Sequence, residues 1–235
     1  MNSIKKTART AGFLYLLSAP LAVFSIMSIP SLLIVSGDAA KTVQYIMASE
    51  LLFRLGIVSF FISQLIYIIL PLLLYKLLSP VNKNQALLMV VFMFISLPIS
   101  FVNELNNFAV LRLINTAAID PNQLQAQVMF FLNQRQDGIS ISGIFWGLWL
   151  FPFGLLVFNS RFLPRILGIL LMTACCGYVI DSFIHILLPG ILFKLGTFTF
   201  LGEITILLWL IIKGVNVEQW EKTLLNQVTS NSTEK

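Results

Sequence analysis

Residues 50–77 read ELLFRLGIVSFFISQLIYIILPLLLYKL, and between Arg54 and Lys76 this stretch carries no charged side chain. About 20 apolar residues, rising about 1.5 Å each, cross a hydrocarbon core of about 30 Å. In lipid no water completes the backbone's hydrogen bonds, so an apolar run of this length must be a helix. Runs of the same kind occupy 11–35, 86–111, 139–158, 164–189 and 196–213, which gives six spans. The expected fold is all-α, an integral membrane six-helix bundle. Composition agrees, since the 235 residues are 57% hydrophobic and 11% charged, against about 25% charged in a soluble domain. One domain over 1–228 holds the spans, and the polar end TSNSTEK (229–235) is expected to be a disordered tail.

Positive flanks are retained in the cytoplasm, which makes the placement of Lys and Arg a topology signal. With the N-terminus inside, ten of the fifteen basic residues fall on the inner side: Lys5, Lys6, Arg9, Lys76, Lys83, Arg161, Arg165, Lys213, Lys222 and Lys235. Lys41, Arg54, Arg112, Arg135 and Lys194 fall outside. Both termini are therefore expected in the cytoplasm, N-in and C-in. The net charge of +5 reads as topology; no basic stripe interleaved with aromatics suggests nucleic acid. The basic, then apolar start MNSIKKTARTAGFLYLLSAPLAVFSIM has signal-peptide character. Its apolar run exceeds a usual signal core and lacks a clean small-x-small cleavage site, so it is expected to stay as the first span. The adjacent Cys175 and Cys176, at membrane depth, are expected to pack rather than pair.

The inner connections around Pro80 and Pro164 are short, stopping one helix and starting the next. The outer ones carry pattern. In 36–49, Asp38 can cap a helix that places Ala40, Val43 and Met47 on one face. In 120–137, Asp-Pro starts a helix with Leu124, Val128, Phe131 and Leu132 on one side. Both are expected as short amphipathic interfacial helices over the outer face. A further amphipathic stretch, Val217, Trp220, Leu224 and Val228, should lie on the inner surface. Ser140, Gly143, Gly147 and Gly154 form a small-residue seam suited to close helix approach, within the bundle or in a homo-oligomer.

The polar residues inside the spans are few. Glu50, Arg54 and Gln64 share a face of the second span, with Glu50 and Arg54 spaced to neutralise each other. The third carries Ser96, Ser100, Asn103, Glu104 and Asn107, the fifth Tyr178, Asp181 and His185, and the sixth Thr199 and Glu203. With the topology above, these groups all fall in the outer half. A charge in hydrocarbon is costly unless it meets a partner or a wet cavity. One polar outer-half chamber is therefore expected, with Glu50, Arg54, Asn103, Glu104, Asn107, Tyr178, Asp181, His185 and Glu203 as binding candidates and Arg54 as the partner of Asp181. Its alternative is a satisfied polar network that only fixes helix register.

Three functional readings stand on this chamber. One is ion- or proton-coupled transport or small-solute binding, His185 beside Asp181 being a group that titrates near neutrality. Another is a membrane accessory or assembly protein whose outer helices engage a partner. The third is an intramembrane metal hydrolase using His185, Asp181, Glu104 and Glu203. The single histidine and the lack of HExxH weigh against it, so neither a metal nor another cofactor is expected. No nucleotide-binding loop is present.

The blocks ASELLFRLGI (48–57), LYKLLSPVNKNQALL (74–88), FWGLWLFPFGLLVFNSRFLPRILGILL (145–171), GYVIDSF (177–183) and GEITILLWLIIKGVN (202–216) resemble a bacterial multi-spanning membrane family, domain of unknown function 4386. The resemblance implies a bacterial plasma (inner) membrane protein with a retained first span and no assigned activity. Glu50, Arg54, Asp181 and Glu203 fall in these blocks and His185 does not, which shifts weight from the Asp181–His185 pair to Asp181.

Overall fold

A computed structural model describes residues 3–116, 119–188, 195–196 and 200–233, with side chains only as far as 227 in the last stretch. The described elements are helical: α1 Ser3–Val23, a π-helical turn Phe24–Ser28, α2 Ile29–Leu33, α3 Ala39–Ala48, α4 Glu50–Leu78, α5 Lys83–Asn103, α6 Leu105–Ile114, α7 Pro121–Leu148, α8 Leu150–Asn159, α9 Arg165–Leu187, α10 Leu201–Ile212 and α11 Val217–Thr233. The protein is all-α.

Five helical stretches are long and apolar enough to cross a membrane: Ser3–Leu33, Glu50–Leu78, Lys83–Ile114, Pro121–Asn159 and Arg165–Leu187. Their outward surfaces are apolar as well; Phe13, Leu51, Leu65, Ile69, Val102 and Ile166 are all exposed, as a lipid-facing surface requires. The sixth expected span is represented by α10, a shorter apolar helix. Its twelve residues cover about 18 Å; Lys194 and Thr199, which the sequence reading placed beside and in this span, lie outside the described residues.

The chain divides into two compact units. The first comprises 1–16, 67–96 and 143–235, and its core is built from Tyr15, Leu74, Met89, Trp149, Phe153, Leu171 and Leu210 among others. The glycine seam is used here. A Cβ on Gly147 would meet Val179 at 2.9 Å and Tyr178 at 3.0 Å, and one on Gly154 would meet Gly168 O and Met172 Cγ at 2.7 Å. Bare backbone thus lets α9 lie directly on α7 and α8, the packing expected of a small-residue seam in lipid. Cys175 is buried and Cys176 exposed, both as free thiols.

The second unit comprises 17–66 and 97–142, with a core of Ile46, Phe53, Ile57, Val110, Val128 and Leu132. Pro30 shapes its entry. A proline inside a helix lacks an N–H and crowds the carbonyl four residues back. The preceding turn widens to the π form, Ile29 N–H bonding to Phe24 O, which is one way such crowding is relieved.

Several expected elements differ in extent. The helix expected over 120–137 exists, but it is not a separate cap: α7 runs on without a break to Leu148 and joins α8 to make one 39-residue stretch. Asp137-Gly138 is a dipeptide that commonly marks a turn, yet the helix passes through it, and the bare backbone of Gly138 gives room to the Asn103 side chain. α3 is capped as expected, the Asp38 carboxylate accepting from Lys41 N–H at 2.9 Å. Its inward face is Thr42, Val43 and Ile46, however, while Met47 is exposed. α11 continues to Thr233, through most of the tail read as disordered, because each residue added to a formed helix gains a hydrogen bond. The Val228 side chain lies outside the described set.

Candidate functional site

In the second unit, α5 ends at Asn103 and α6 begins at Leu105, which leaves Glu104 at a turn with its side chain fully buried. Its carboxylate is met by Arg135 of α7, Nη2 to Oε1 at 2.9 Å and Nε to Oε1 at 3.0 Å. Asn107 Nδ2 donates to the other oxygen at 2.7 Å. Arg135 is itself buried, donates to Ser25 Oγ in the π-helical turn at 3.3 Å, and has its guanidinium carbon 5.9 Å from the centre of the Phe60 ring. Asn103 joins through the backbone, donating to Arg135 O at 2.9 Å, and Gly138 leaves the space its side chain fills. Charge and hydrogen-bonding capacity are thus matched within one enclosed cluster, which a buried ion pair needs in order to be tolerated.

A cavity of about 20 Å³ adjoins this cluster, lined on its polar side by Ser25, Asn107 and Arg135. That is room for about one water-sized species. Glu50 and Arg54 form a separate, partly exposed pair at 2.6 Å, with Asn115 Nδ2 donating to Glu50 at 3.3 Å. Arg54, expected as the partner of Asp181, is engaged by Glu50 one turn away on its own helix. Gln64 is buried, and its Oε1 has no hydrogen-bond partner among the described residues.

In the first unit the central group is Glu203, in the first turn of α10 and buried. Two phenols serve it: Tyr178 of α9 donates to Oε1 at 2.7 Å, and Tyr15 of α1 donates to Oε2. Tyr15 stands in an aromatic wall, its ring centre 6.1 Å from that of Tyr67 and 6.0 Å from that of Trp149. Among the described residues no basic side chain pairs with Glu203. Asp181, three residues on from Tyr178, is half-buried and accepts two backbone N–H bonds, from Leu195 at 2.8 Å and Gly196 at 2.7 Å. It thereby ties the segment before α10 to α9. His185 sits half-buried in the last turn of α9.

Within the second unit Asn103, Glu104 and Asn107 gather round Arg135, and Glu50 pairs with Arg54; within the first Tyr178 joins Glu203, Asp181 accepts two backbone N–H groups, and His185 lies one turn beyond Asp181 on α9. Sequence reasoning missed Arg135, Ser25 and Tyr15. Arg135 had been counted as an outer flanking charge, although it falls at 128, 132, 135, 139, a spacing that marks one helix face and that the structure buries. Of the four residues considered as metal ligands, Glu104 is occupied by Arg135 and Glu203 by two phenols, and no group of three such ligands occurs among the described residues. The larger hollow of the first unit, about 460 Å³, is lined by apolar groups and two thiols, including Leu88, Phe92, Phe151, Pro152 and Val179; it contains none of the polar candidates.

Among known proteins, the family model named Domain of unknown function (DUF4386) matches residues 10–214. A protein of Archaeoglobus fulgidus described as uncharacterized is 30% identical over 159 residues, which cover 68% of this chain and 83% of that one. No solved structure matches.

Proposed function

We propose, for a chain that belongs to the family of the Domain of unknown function (DUF4386), an ion- or proton-coupled solute-binding or transport role in the bacterial plasma membrane, with Glu203 as the group that exchanges the proton. The proposed frame is the six-span bundle with both ends in the cytoplasm. The observation that carries the reading is the bonding of Glu203: a buried carboxyl, in a short apolar helix, with two phenols and no cation among the described residues. An ionisable group in such a place is costly and marks a pathway or relay more often than a scaffold.

The phenols suit both charge states. A phenol hydroxyl donates to a carboxylate and accepts from a carboxylic acid. When Glu203 is ionised both tyrosines donate; when it is protonated its own O–H can turn to one phenol oxygen. Neither state leaves the carboxyl unbonded. The Arg135 cluster has the opposite character, because protonating Glu104 would strand a buried guanidinium. It supports the second reading, an accessory protein whose polar network holds its helices in register, and in the proposed scheme it is the fixed element.

The test is proton movement in liposomes that enclose a pH-sensitive dye. Under an imposed proton gradient, wild type should dissipate the gradient faster than protein-free vesicles. Glu203→Gln should fall to the protein-free rate, and Tyr178→Phe should lie between. Equal rates for Glu203→Gln and wild type would contradict the role of Glu203, and a wild-type rate no higher than that of empty vesicles would contradict proton coupling.

A further inference from the structure

Independently of Glu203, several basic residues of the first unit lie near the end of α10. Arg9 reaches from α1 to donate to Ile212 O at 3.4 Å. Gly214, at φ 68°, turns the chain out of the helix; a Cβ there would stand 3.2 Å from Lys5 Cγ, so the Lys5 stem lies across the turn. Asn216 N–H bonds to Phe162 O at 3.2 Å, which brings the loop carrying Arg161 alongside. Arg165 stacks over Phe158, 5.6 Å from its ring centre. Lys6, Arg161, Arg165 and Lys213 are exposed. In the adjoining α11, Glu218 is paired with Lys222 at 2.6 Å and so adds little net negative charge.

The same rim carries a marker of membrane depth. The Trp220 indole N–H of α11 donates to Leu77 O at 2.8 Å, and Gln227 donates to Ser79 O at 3.2 Å, which docks α11 against the end of α4. Leu224 and Leu225 of that helix remain exposed. A surface helix with a half-buried Trp and exposed leucines lies at the boundary between headgroups and acyl chains. The cationic rim is thus set at headgroup level.

We propose that this rim, centred on Lys5, Arg9, Arg161, Arg165 and Lys213, binds the phosphates of anionic phospholipids. Basic pockets between membrane helices recognise such headgroups, and guanidinium and ammonium groups from α1, α9, the loop before α9 and the end of α10 are borne on this rim with no unpaired acid described among them. The occupant is a lipid rather than free phosphate, because the cations sit beside apolar residues that would meet the acyl chains.

The experiment uses the full-length protein in a neutral detergent, titrated with phosphatidylglycerol, phosphatidylcholine or glycerol phosphate, with bound lipid counted by native mass spectrometry and Tm followed in parallel. Phosphatidylglycerol should be retained several-fold over phosphatidylcholine and should raise Tm, and glycerol phosphate should do neither. The Arg161→Gln, Arg165→Gln, Lys213→Gln triple variant, which alters only exposed side chains of the rim, should lose the preference. A control lacking the same charge in the second unit, Lys41→Gln, Arg54→Gln, Arg112→Gln, should keep it. Equal retention of the two lipids, an unchanged preference in the first variant, loss of preference in the control, or an equal response to glycerol phosphate would each overturn the proposal.

Discussion

Glu104 and Glu203 are both enclosed, at 0% and 4% exposure, and the chain deals with their charge in opposite ways. Glu104 has a guanidinium and an amide; Glu203 has two phenols. Removing one partner of a buried pair leaves the other charge stranded, typically at a cost of about 3–5 kcal/mol, whereas removing both is often close to neutral. Arg135→Met alone should therefore lower stability strongly, and the Glu104→Gln, Arg135→Met double variant should recover most of the loss, as read by denaturant unfolding in micelles. Equal losses in the two would contradict the pairing. At this scale the sequence was legible for the acids and opaque for their partners. A buried Glu or Asn stands out in an apolar run, but Arg135 lies among Asn133, Gln134, Gln136 and Asp137, where local polarity hides an inward-facing charge. Tyr15 was hidden for the converse reason: in a hydrophobic helix a tyrosine looks like packing until its hydroxyl finds an acid distant in sequence.

Among the elements, the signals that worked were those with a mechanism at one residue. Asp38 caps α3 as its position implied, and its carboxyl is held below the usual carboxylate range, first by the Lys41 backbone N–H and then by the Lys41 side chain. A lowered folded value means that the cap's contribution is complete above the unfolded carboxyl value and is lost as pH falls through the folded one. Amide protection over 39–48, corrected for intrinsic exchange, should accordingly weaken only in acid. Asp38→Asn, which keeps a capping oxygen without the charge, should flatten that acid limb; an identical limb in the variant would exclude Asp38 as its source. Boundaries set by composition fared less well. The polar stretch 120–137 and the apolar stretch after it looked like two elements, yet the backbone hydrogen-bond ladder is indifferent to that change, and α7 passes through it. The break at Glu104 went unseen because neither Gly nor Pro marks it.

For the whole molecule, the all-α, membrane-spanning character was legible because lipid allows a long apolar run few structures other than a helix. Which polar groups would meet was not, since it depends on helix rotations that several apolar faces satisfy equally well. The single chamber was expected from shared helix faces and a common depth, and neither separates a carboxyl with a guanidinium from one with two phenols. That distinction is what gives Glu203 its proposed role. The most direct measurement is the infrared difference spectrum of the reconstituted protein between acid and alkaline buffer, which reads carboxyl protonation itself. The account predicts a carboxylic-acid carbonyl band that is absent in Glu203→Gln and displaced in Tyr178→Phe, where one hydrogen bond is lost. A band of the same position and intensity in wild type and Glu203→Gln would contradict it.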